Sequence, residues 1–306
     1  MRGVLSVITV TYGSAATLAD TLPTWRAAMD GLVQRDRVEW IVVDNGTDGS
    51  GSLVRDALGS VAVTVIKRAD NPGFSVGCNV AAERSTADHV FFLNPDVSLR
   101  TDSLQQVLDA IDDAPDRVLT VSLRTDGEVL VGARLTPFSL FRDARLEDRA
   151  VLLGPSGGAA VYPRSSYVDA GGFDPLFFAW GEDADLAMRL AARGERPPVV
   201  LDLRLEHSGG HSLGNPAIVQ RKAQLMARNR LFVAARCLST PALVAYAAPG
   251  VAFHVANAAR KARSGTLRSW AAGTSEGLRR FGEVRRTQTG PRLGVVRAWR
   301  LIRGTR

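Results

Sequence analysis

The sequence predicts an α/β fold in which helices flank a mostly parallel sheet. Short β-branched runs alternate with helix-length segments through the first hundred residues, which is the pattern of repeated βαβ units. Polar residues follow several of these runs, and in such sheets ligands bind beyond the carboxyl ends of the strands. The composition, 45% hydrophobic and 23% charged, is that of a globular chain with a sizeable core, and it excludes disorder as the overall class.

The first half of the chain supplies four predicted strands and the helices between them. The strands are predicted over Val4–Val10, Trp40–Val43, Val61–Ile66 and His89–Leu93, and the helices over 14–34, 50–58, 75–86 and 102–113. The β-branched composition of Val4–Val10 is typical of a strand buried on both faces. The polar residues that follow strands are Thr11, Asp44 and Asp96, and a parallel sheet would place all three at its ligand-binding edge.

The second half is less regular. Short strands are predicted at Leu119–Leu123, Glu128–Val131, Ala159–Tyr162 and Val199–Leu203, with helices at 164–171 and 182–193. Residues 242–259 are Ala-rich and apolar but are interrupted by Pro249-Gly250. Because the uninterrupted stretch is shorter than the roughly 20 residues that span a bilayer, we expect a packed or interfacial helix pair there.

The net charge of +7 is concentrated at the C-terminus. Residues 260–306 hold 13 Arg or Lys and two acids, a net charge of +11, whereas residues 1–259 carry a net charge of −4. Such a tail suits anionic lipid headgroups, phosphorylated lipids or nucleic acid, and it also suits a solubilising, partly disordered end. Aromatic residues are sparse in the tail (Trp270, Phe281, Trp299), so we expect no nucleic-acid partner.

The N-terminus and the cysteines indicate a cytoplasmic protein. The apolar run after Met1 reaches Thr11-Tyr12-Gly13 too soon for a signal peptide and is interpreted as the first strand. Two cysteines, Cys78 and Cys237, are too few for a disulfide framework or a cysteine zinc site. A reducing compartment is consistent with both observations.

Two acids that follow strands are candidates for ligand binding. Asp44 could bind a nucleobase or a ribose, or it could be an ordinary turn or cap residue. Asp96 could hold a hard cation that bridges two phosphates, or it could belong to a common Asn-Pro-Asp turn. His207, between a strand and two glycines, is a candidate ligand, and His211 is a second one. The turn at Asn71 could present free N–H groups to an anion, or simply join a strand to a helix.

Three acids stand at the start of the helix predicted over 182–193. Glu182, Asp183 and Asp185 follow the aromatic run Phe177-Phe178-Ala179-Trp180. Their placement favours the helix dipole, but an apolar wall also raises a carboxyl pKa and suits a general base. Asp183 and Asp185 do not share a helix face, so we expect different roles for them.

Seven segments in succession resemble the family 2 glycosyltransferases, and most closely their bacterial rhamnosyltransferase-like branch. They are TVTYG, VVDN, NPGFSVGCN, FFLNPD, GPSGGA, GGFDPLFFAWGEDADLAMRL and EHSGGHS, and the resemblance covers roughly residues 4–235. It implies the GT-A fold, with a catalytic domain over 1–235. Within that domain, 1–100 would be the nucleotide-binding half and 101–235 the acceptor-binding half. Residues 236–306 would form a helical, basic extension that associates with the membrane.

The resemblance also assigns roles to individual residues. Asp183 matches the catalytic base, and Asp96 and His207 would hold Mg²⁺ or Mn²⁺. The family's usual metal motif is Asp-x-Asp, whereas this chain has Asn94-Pro95-Asp96, so tight metal binding is less strongly implied. The donor would contact Thr11, Tyr12, Gly13, Asp44, Asn71, Gly73, Phe74, Asn79, Asn94, Asp96, Arg228 and Arg230. The acceptor would contact Gly157, Gly158, Trp180, Glu182 and Asp185.

The implied reaction is an inverting sugar transfer from a nucleotide-sugar donor. The leading expectation is L-rhamnose from dTDP-rhamnose, moved to a glycan or polyprenyl-diphosphate-linked acceptor in cell-wall or surface-polysaccharide synthesis. Mannose, glucose or galactofuranose from a GDP or UDP donor is the alternative, and a non-catalytic nucleotide-sugar-binding scaffold is a further one. The basic tail would hold the enzyme at the inner face of the plasma membrane, where the surface is anionic.

Overall fold

The computed structural model describes residues 4–59, 62–209 and 215–305. The strands are β1 Leu5–Thr11, β2 Val38–Asp44, β3 Val63–Lys67, β4 His89–Leu93, β5 Leu119–Thr125, β6 Glu128–Thr136, β7 Leu140–Arg145, β8 Leu152–Gly154, β9 Ala159–Pro163 and β10 Val199–Glu206. The helices are α1 Ala15–Asp30, α2 Ser50–Ala57, α3 Phe74–Arg84, α4 Ser103–Asp113, α5 Arg164–Asp169, α6 Glu182–Arg193, α7 Pro216–Cys237, α8 Thr240–Arg263, α9 Leu267–Thr287 and α10 Val295–Arg303. Val61, the predicted start of the third strand, and the candidate His211 lie outside the described residues.

The chain forms two compact units, each made of several segments. The first comprises Met1–Val131, Pro155–Phe178 and Pro198–Gly210, and the second comprises Gly132–Gly154, Ala179–Pro197 and His211–Arg306. Helix α9 packs along α7, so the C-terminal helices belong to the same unit as α7. The domain boundary at residue 235 stays a prediction.

The first unit is built on a mostly parallel sheet, as predicted. Its strand order is β3-β2-β1-β4-β9-β5, and β10 pairs with β5. β1 is parallel to β2 and β4, β2 is parallel to β3, and β10 is parallel to β5. β9 runs antiparallel to both β4 and β5, which makes those two strands parallel to each other. The carboxyl ends of β1, β2, β4, β5 and β10 therefore point to the same edge of the sheet.

Both faces of this sheet are covered, as the β-branched run Val4–Val10 predicted for the first strand. On one face the rings of Trp25 and Trp40 stack with centroids 4.9 Å apart, and Trp25 Nε1 donates to the Val97 carbonyl at 2.8 Å. On the opposite face of β4, Phe92 contacts Tyr167 and Phe173 at centroid distances of 4.9 and 5.2 Å. Burial of each such side chain stabilises the fold by about 1.5–3 kcal/mol, so β4 is anchored from both sides.

The second unit is mainly helical, and the described part of its basic C-terminal segment contains helices α9 and α10. A Cβ atom at Gly273 of α9 would collide with the backbone of α7 at Gln224, so glycine lets the two helices approach closely. Arg285 Nη1 donates to the carbonyls of Ala235 and Leu238 at 2.8 and 2.9 Å. It therefore satisfies carbonyl groups at the end of α7 that no helical N–H reaches. Some of the tail's positive charges thus have structural roles.

Helix α8 differs from its prediction. It is one continuous helix with Pro249 inside it, whereas a pair of helices was expected. One 18-residue window has a mean hydropathy of 1.3, which together with the helix length is enough to cross a membrane, and only 17% of that window is buried. Val244, Val251 and Val255 are 64–72% exposed. The apolar stretch is therefore longer than the sequence pattern suggested, and much of it lies on the surface.

Candidate functional site

Thr11 and Asp44 meet at the carboxyl ends of β1 and β2. Thr11 Oγ1 donates to Asp44 Oδ1 at 3.1 Å, and the N–H of Gly51 donates to Asp44 Oδ2 at 3.1 Å. Both side chains are buried, so the Asp44 carboxylate organises the loop that leads into α2. Tyr12, the next residue, is 66% exposed, and Gly13 has a φ of +61°. In the segment Thr11-Tyr12-Gly13, Tyr12 is therefore exposed to solvent and Thr11 is buried.

The predicted Asn71–Gly73 turn is held by a residue that the sequence analysis did not single out. Buried Asn45 donates from Nδ2 to the Gly73 carbonyl at 3.1 Å, and its Oδ1 has no hydrogen-bond partner among the described residues. Gly73 has a φ of +95°, and a Cβ there would lie 2.6 Å from the Phe178 ring. Glycine is therefore required at this turn. Asn45 directly follows Asp44 in the VVDN motif. Its position beside a candidate site residue is the sequence signal that could have identified it.

Asn79, predicted to line the donor pocket, forms three hydrogen bonds within the first unit. Its Oδ1 accepts from the Tyr167 hydroxyl at 2.6 Å and from the Phe173 N–H at 3.1 Å, and its Nδ2 donates to the Phe173 carbonyl at 2.7 Å. The amide thus secures the turn before Phe173, and its contact with a donor stays a prediction. Phe74, at the start of α3, likewise packs on Phe173, with ring centroids 6.0 Å apart.

The structure brings Asp96 and His207 together. Asp96 follows β4 and His207 follows β10, and Asp96 Oδ2 lies 3.2 Å from His207 Nε2. The backbone supports this contact, because Val97 and His207 form a β-bridge and the Ser208 N–H donates to the Asp96 carbonyl at 3.1 Å. Both side chains retain some exposure, 11% for Asp96 and 21% for His207. A carboxylate oxygen and an imidazole nitrogen therefore converge at the predicted sheet edge.

Thr125, another residue missed by the sequence analysis, orients the His207 ring. Its Oγ1 lies 3.0 Å from His207 Nδ1. If Nδ1 carries the proton and donates to this hydroxyl, the Nε2 lone pair faces Asp96, which is the tautomer that a metal ligand requires. The oxygen and nitrogen donors of Asp96 and His207 suit Mn²⁺, and Mg²⁺ less well. No cluster of three His, Cys, Asp or Glu side chains that could hold a metal occurs within 4–59, 62–209 and 215–305. Further ligands would have to come from substrate phosphates and water.

The Gly157-Gly158 loop lies beside Asn94 in the first unit. The Asn94 N–H donates to the Gly158 carbonyl at 3.0 Å, and a Cβ at Gly158 would lie 3.2 Å from Asn94 Nδ2. The two glycines, predicted to contact the acceptor, are therefore next to the strand end that carries Asp96. The contact of Gly157 and Gly158 with an acceptor stays a prediction.

In the second unit, the three acids at the start of α6 have different surroundings. Asp185 is fully buried, with Oδ2 2.7 Å from Arg189 Nε and Oδ1 2.8 Å from Arg236 Nε. Its carboxylate joins α6 to α7, so it cannot contact an acceptor, contrary to the prediction. Glu182 is also buried, at 5% exposure. Burial, with a smaller contribution from the negative charge of Asp183, raises the pKa of Glu182 to about 8.

Asp183 is the partly exposed member of this group. Glu182 is enclosed and its pKa is raised by burial, so it lacks the accessibility of the acceptor-orienting carboxylate that was predicted. Asp183 Oδ1 accepts from the Ala184 N–H at 2.7 Å, and the positive end of the α6 dipole favours its charged form. Among the acids of the α6 N-terminus, Asp183 has the accessibility that a general base needs.

The loop before α6 is strained and is held in place by α7. Trp180 has a φ of +65°, a conformation that costs a non-glycine residue about 1–3 kcal/mol and that clusters at functional sites. Buried Asn229 donates from Nδ2 to the carbonyls of Ala179 and Trp180 at 2.9 and 2.6 Å. Asn229 Oδ1 in turn accepts from Arg228 Nε at 2.9 Å. Asn229 was missed although it stands between two predicted arginines.

The two arginines predicted near the donor diphosphate have distinct environments. Arg228 is 8% exposed, and its Nη1 lies 3.2 Å from Glu276 Oε1. Arg230 Nη1 donates to the carbonyls of Ser139 and Phe141, and its guanidinium lies 4.6 and 4.9 Å from the ring centroids of Phe141 and Phe253. Burial lowers the pKa of Arg230 to about 10. The donor contacts of these arginines stay a prediction.

Comparison with known proteins identifies the family. The family model of "Glycosyl transferase family 2" matches residues 6–170, which is more than half of the 306-residue chain. An N-acetylglucosaminyl-diphospho-decaprenol L-rhamnosyltransferase of Mycobacterium tuberculosis is 28% identical over 249 residues, covering 70% of this chain and 79% of that protein.

Solved structures share the fold at low sequence identity. The mannosyltransferase PcManGT from Pyrobaculum calidifontis, in complex with GDP-Man and Mn²⁺, has a TM-score of 0.59 and 21% identity, with coverage of 99% of this chain and 86% of that one. S. aureus TarS has a TM-score of 0.53 and 17% identity, and the match covers 77% of this chain but only 42% of the TarS chain. The chain therefore has the GT-A fold, belongs to glycosyl transferase family 2 and is a glycosyltransferase.

Proposed function

We propose that this enzyme transfers L-rhamnose from dTDP-rhamnose, with inversion, to a hydroxyl of an acceptor sugar linked by a diphosphate to a polyprenol. The observation that carries a nucleotide-sugar donor is the 3.2 Å contact of Asp96 with His207 at the edge where the parallel strands end. The choice of sugar and acceptor is supported by the M. tuberculosis relative, whose name specifies L-rhamnose and a decaprenol-linked acceptor.

The first unit would bind the donor. Asp96 and His207 would hold Mn²⁺ or Mg²⁺, and a divalent cation neutralises charge on a departing nucleoside diphosphate. Thr125 would keep the His207 ring in its ligating tautomer. Asp44 and Asn45 would fix the loops after β2 and β3, so that Tyr12 and the Asn71 turn are presented to the nucleotide.

Asp183 of the second unit would be the general base. In this mechanism Asp183 takes the proton from the acceptor hydroxyl while that oxygen forms a bond to the anomeric carbon. The bond from the anomeric carbon to the donor phosphate oxygen breaks, and the nucleoside diphosphate leaves with the electron pair. A single displacement inverts the anomeric configuration. Trp180, held by Asn229, would stack on a face of the acceptor sugar.

We further propose that the enzyme is cytoplasmic and peripheral on the anionic inner face of the plasma membrane. The exposed apolar side of α8 and the net charge of +11 in residues 260–306 support this, since apolar burial and basic residues together give surface binding. Flotation with phosphatidylglycerol vesicles should recover the full chain, and phosphatidylcholine vesicles should recover much less. Equal recovery with both lipids would contradict the electrostatic part of the proposal.

The donor is tested by thermal unfolding with Mn²⁺ and a panel of nucleotide sugars. A ligand at 100 times its Kd adds about 2.7 kcal/mol of stability. We expect metal-dependent stabilisation by dTDP and dTDP-rhamnose, and none by GDP-mannose or UDP-glucose at equal concentration. If only a GDP sugar or only a UDP sugar stabilises the protein, that sugar nucleotide, and not dTDP-rhamnose, is the donor. Transfer of labelled rhamnose to a short-chain lipid-linked acceptor then tests the reaction itself.

A further inference from the structure

The second unit contains a cavity that the proposed mechanism does not use. It has a volume of about 420 Å³ and is lined by residues of α7 and α8 and by the start of α9. This volume lies within the roughly 300–1,000 Å³ typical of small-molecule sites. The cavity is therefore large enough to hold a diphosphate group together with part of an attached chain.

The cavity is lined by positive charge. Lys222, Arg230, Arg260 and Lys261 all line it, and the described residues around it include no Asp or Glu. Lys222 and Arg260 are exposed, whereas Arg230 and Lys261 are half-buried. Positive charges that share one space repel one another, most strongly where burial lowers the dielectric. Accordingly, burial and the neighbouring charges of Arg260 and Lys222 lower the pKa of Lys261. A bound anion would relieve this repulsion.

His254 adds hydrogen-bonding capacity to the same cavity. It lies on α8 and lines the cavity, and neither of its buried ring nitrogens has a hydrogen-bond partner among the described residues. Buried polar atoms are nearly always hydrogen-bonded, so a ligand with acceptor oxygens would satisfy a group that the protein leaves unmatched. The His254 ring packs against Trp270, with centroids 5.8 Å apart, and this contact fixes its orientation.

The surroundings favour an amphipathic occupant over a free phosphate. Met226, Phe253 and Trp270 form apolar parts of the cavity wall, and the outer side of α8 carries exposed Val251 and Val255. Lys222 connects the cavity to the candidate acceptor residues, because its Nζ lies 5.9 Å from the centroid of the Trp180 ring. This unit therefore combines a positively charged cavity, the exposed apolar side of α8 and the Trp180 ring, on which a sugar could stack.

We propose that this cavity binds the diphosphate of the lipid-linked acceptor, with the polyprenyl chain along the exposed side of α8. The proposal rests on the proposed function for the identity of the acceptor. A nucleoside diphosphate has no apolar chain that could lie along α8. A phosphatidylglycerol headgroup carries one phosphate, whereas Lys222, Arg260 and Lys261 line the cavity together. Arg260, Lys261 and Lys222 would contact phosphate oxygens, and His254 would donate a hydrogen bond to one of them.

The test measures binding of farnesyl diphosphate to the full chain by titration calorimetry. EDTA is present, so that metal-dependent donor binding does not contribute. The double variant Arg260→Gln/Lys261→Gln should bind at least about tenfold more weakly than wild type, since each lost bond is charge-assisted. Arg279→Gln, which removes an exposed charge from α9, is the matched control and should bind as wild type does. Equal affinity in the wild type and the double variant would overturn the proposal.

A second measurement does not depend on the folding of any variant. The chain has four histidines, so the ring signals of His254 can be resolved by NMR. Farnesyl diphosphate should shift them in the wild-type protein, and saturating ligand that leaves them unmoved would contradict the site.

Three further probes distinguish the possible sources of phosphate: inorganic pyrophosphate, dTDP with Mn²⁺, and phosphatidylglycerol vesicles. Pyrophosphate should bind in EDTA more weakly than farnesyl diphosphate, and its binding should also fall in the double variant. A double variant that loses only dTDP or only vesicle binding would instead assign the cavity to the donor or to a lipid headgroup, and the proposal would fail. Rhamnose transfer is assayed separately, so failure of the proposed function would be recognised even if farnesyl diphosphate binds.

Discussion

The carboxylates of the two units show the same contrast between an enclosed and an accessible acid. In the first unit, Asp44 is closed in by Thr11 and backbone N–H groups, whereas Asp96 meets His207 and retains some exposure. In the second unit, Asp185 is enclosed by Arg189 and Arg236, whereas its neighbour Asp183 is partly exposed.

The contrast teaches that partners, not position in a motif, decide what an acid does. Asp183 and Asp185 are two residues apart on one helix and carry the same functional group. Asp185 contributes to stability because its buried carboxylate forms ion pairs with Arg189 and Arg236, and removing one side of a buried ion pair is costly. Asp183 is partly exposed, and we propose it as the general base. Substituting each acid in turn should therefore separate activity from stability.

The largest effect is expected from Asp183→Asn. Loss of a general base commonly costs about 10²–10⁴-fold in rate, so rhamnose transfer should fall by that factor while the Kd for dTDP-rhamnose stays unchanged. Steady-state transfer assays and titration calorimetry measure the two quantities. Asp36→Asn, at an exposed position in the first unit, is the control and should retain full activity. Normal turnover by Asp183→Asn would remove it from the mechanism.

Asp185→Asn should act on stability. The substitution leaves Arg189 and Arg236 buried beside a neutral amide, and breaking a buried ion pair from one side costs about 3–5 kcal/mol. Urea unfolding should show this loss in the free energy of unfolding. Asp143→Asn replaces an exposed aspartate of the same unit and should change stability by less than about 0.5 kcal/mol. A stable but inactive Asp185→Asn protein would restore the predicted acceptor role.

Asp96→Ala should abolish the metal-dependent part of donor binding. The stabilisation of about 2.7 kcal/mol expected from Mn²⁺ and dTDP at 100 times their Kd should disappear, because His207 alone is a single ligand. Thermal unfolding with and without EDTA provides the measurement. Asp109→Ala, an exposed position on α4, should keep the full shift. An undiminished, EDTA-sensitive shift in Asp96→Ala would place the metal elsewhere.

The smallest effect is expected from Glu182→Gln, and it concerns pH. The pKa of Glu182 is raised to about 8 by burial, above its value of about 4.3 in an unfolded chain. The native state therefore holds this proton longer than the unfolded state, and stability falls as pH rises between the two values. In Glu182→Gln no carboxyl group titrates at this position, so the variant does not lose this stability. Its free energy of unfolding relative to that of wild type should therefore rise by about 1 kcal/mol or more between pH 5 and pH 8. Urea unfolding at the two pH values measures this difference. An equal difference in the free energy of unfolding between the two proteins at both pH values would disprove the prediction.

Much of the first unit could be predicted from the sequence because the indications there are local. A strand that ends in a polar residue predicts both the strand and the position of that residue at the sheet edge, and this rule placed Asp44 and Asp96 correctly. The proximity of His207 to Asp96 could be predicted only from the family resemblance. The two residues are 111 positions apart, and β10 pairs with β5 rather than with β4.

The second unit was harder to predict because its contacts join distant segments. The bond from Arg236 to Asp185 spans 51 positions, and nothing in either local sequence indicates it. The strand β8 was missed because it has only three residues, and β7 because its sequence, LFRDAR, is half charged. Pro249 suggested a break that helix α8 does not show. Charge count located a basic tail, but only the helix packing places Arg260 and Lys261 in a cavity.

The most direct test of the account is to measure donor binding and transfer on the same preparations of wild type, Asp183→Asn and Asp96→Ala. The ligand is dTDP-rhamnose with Mn²⁺, and the acceptor is a short-chain polyprenyl-diphosphate-linked N-acetylglucosamine. The account predicts that Asp183→Asn binds the donor as wild type does but does not transfer the sugar, and that Asp96→Ala loses metal-dependent binding. Transfer by Asp183→Asn at the wild-type rate, or loss of donor binding in that variant, would contradict it.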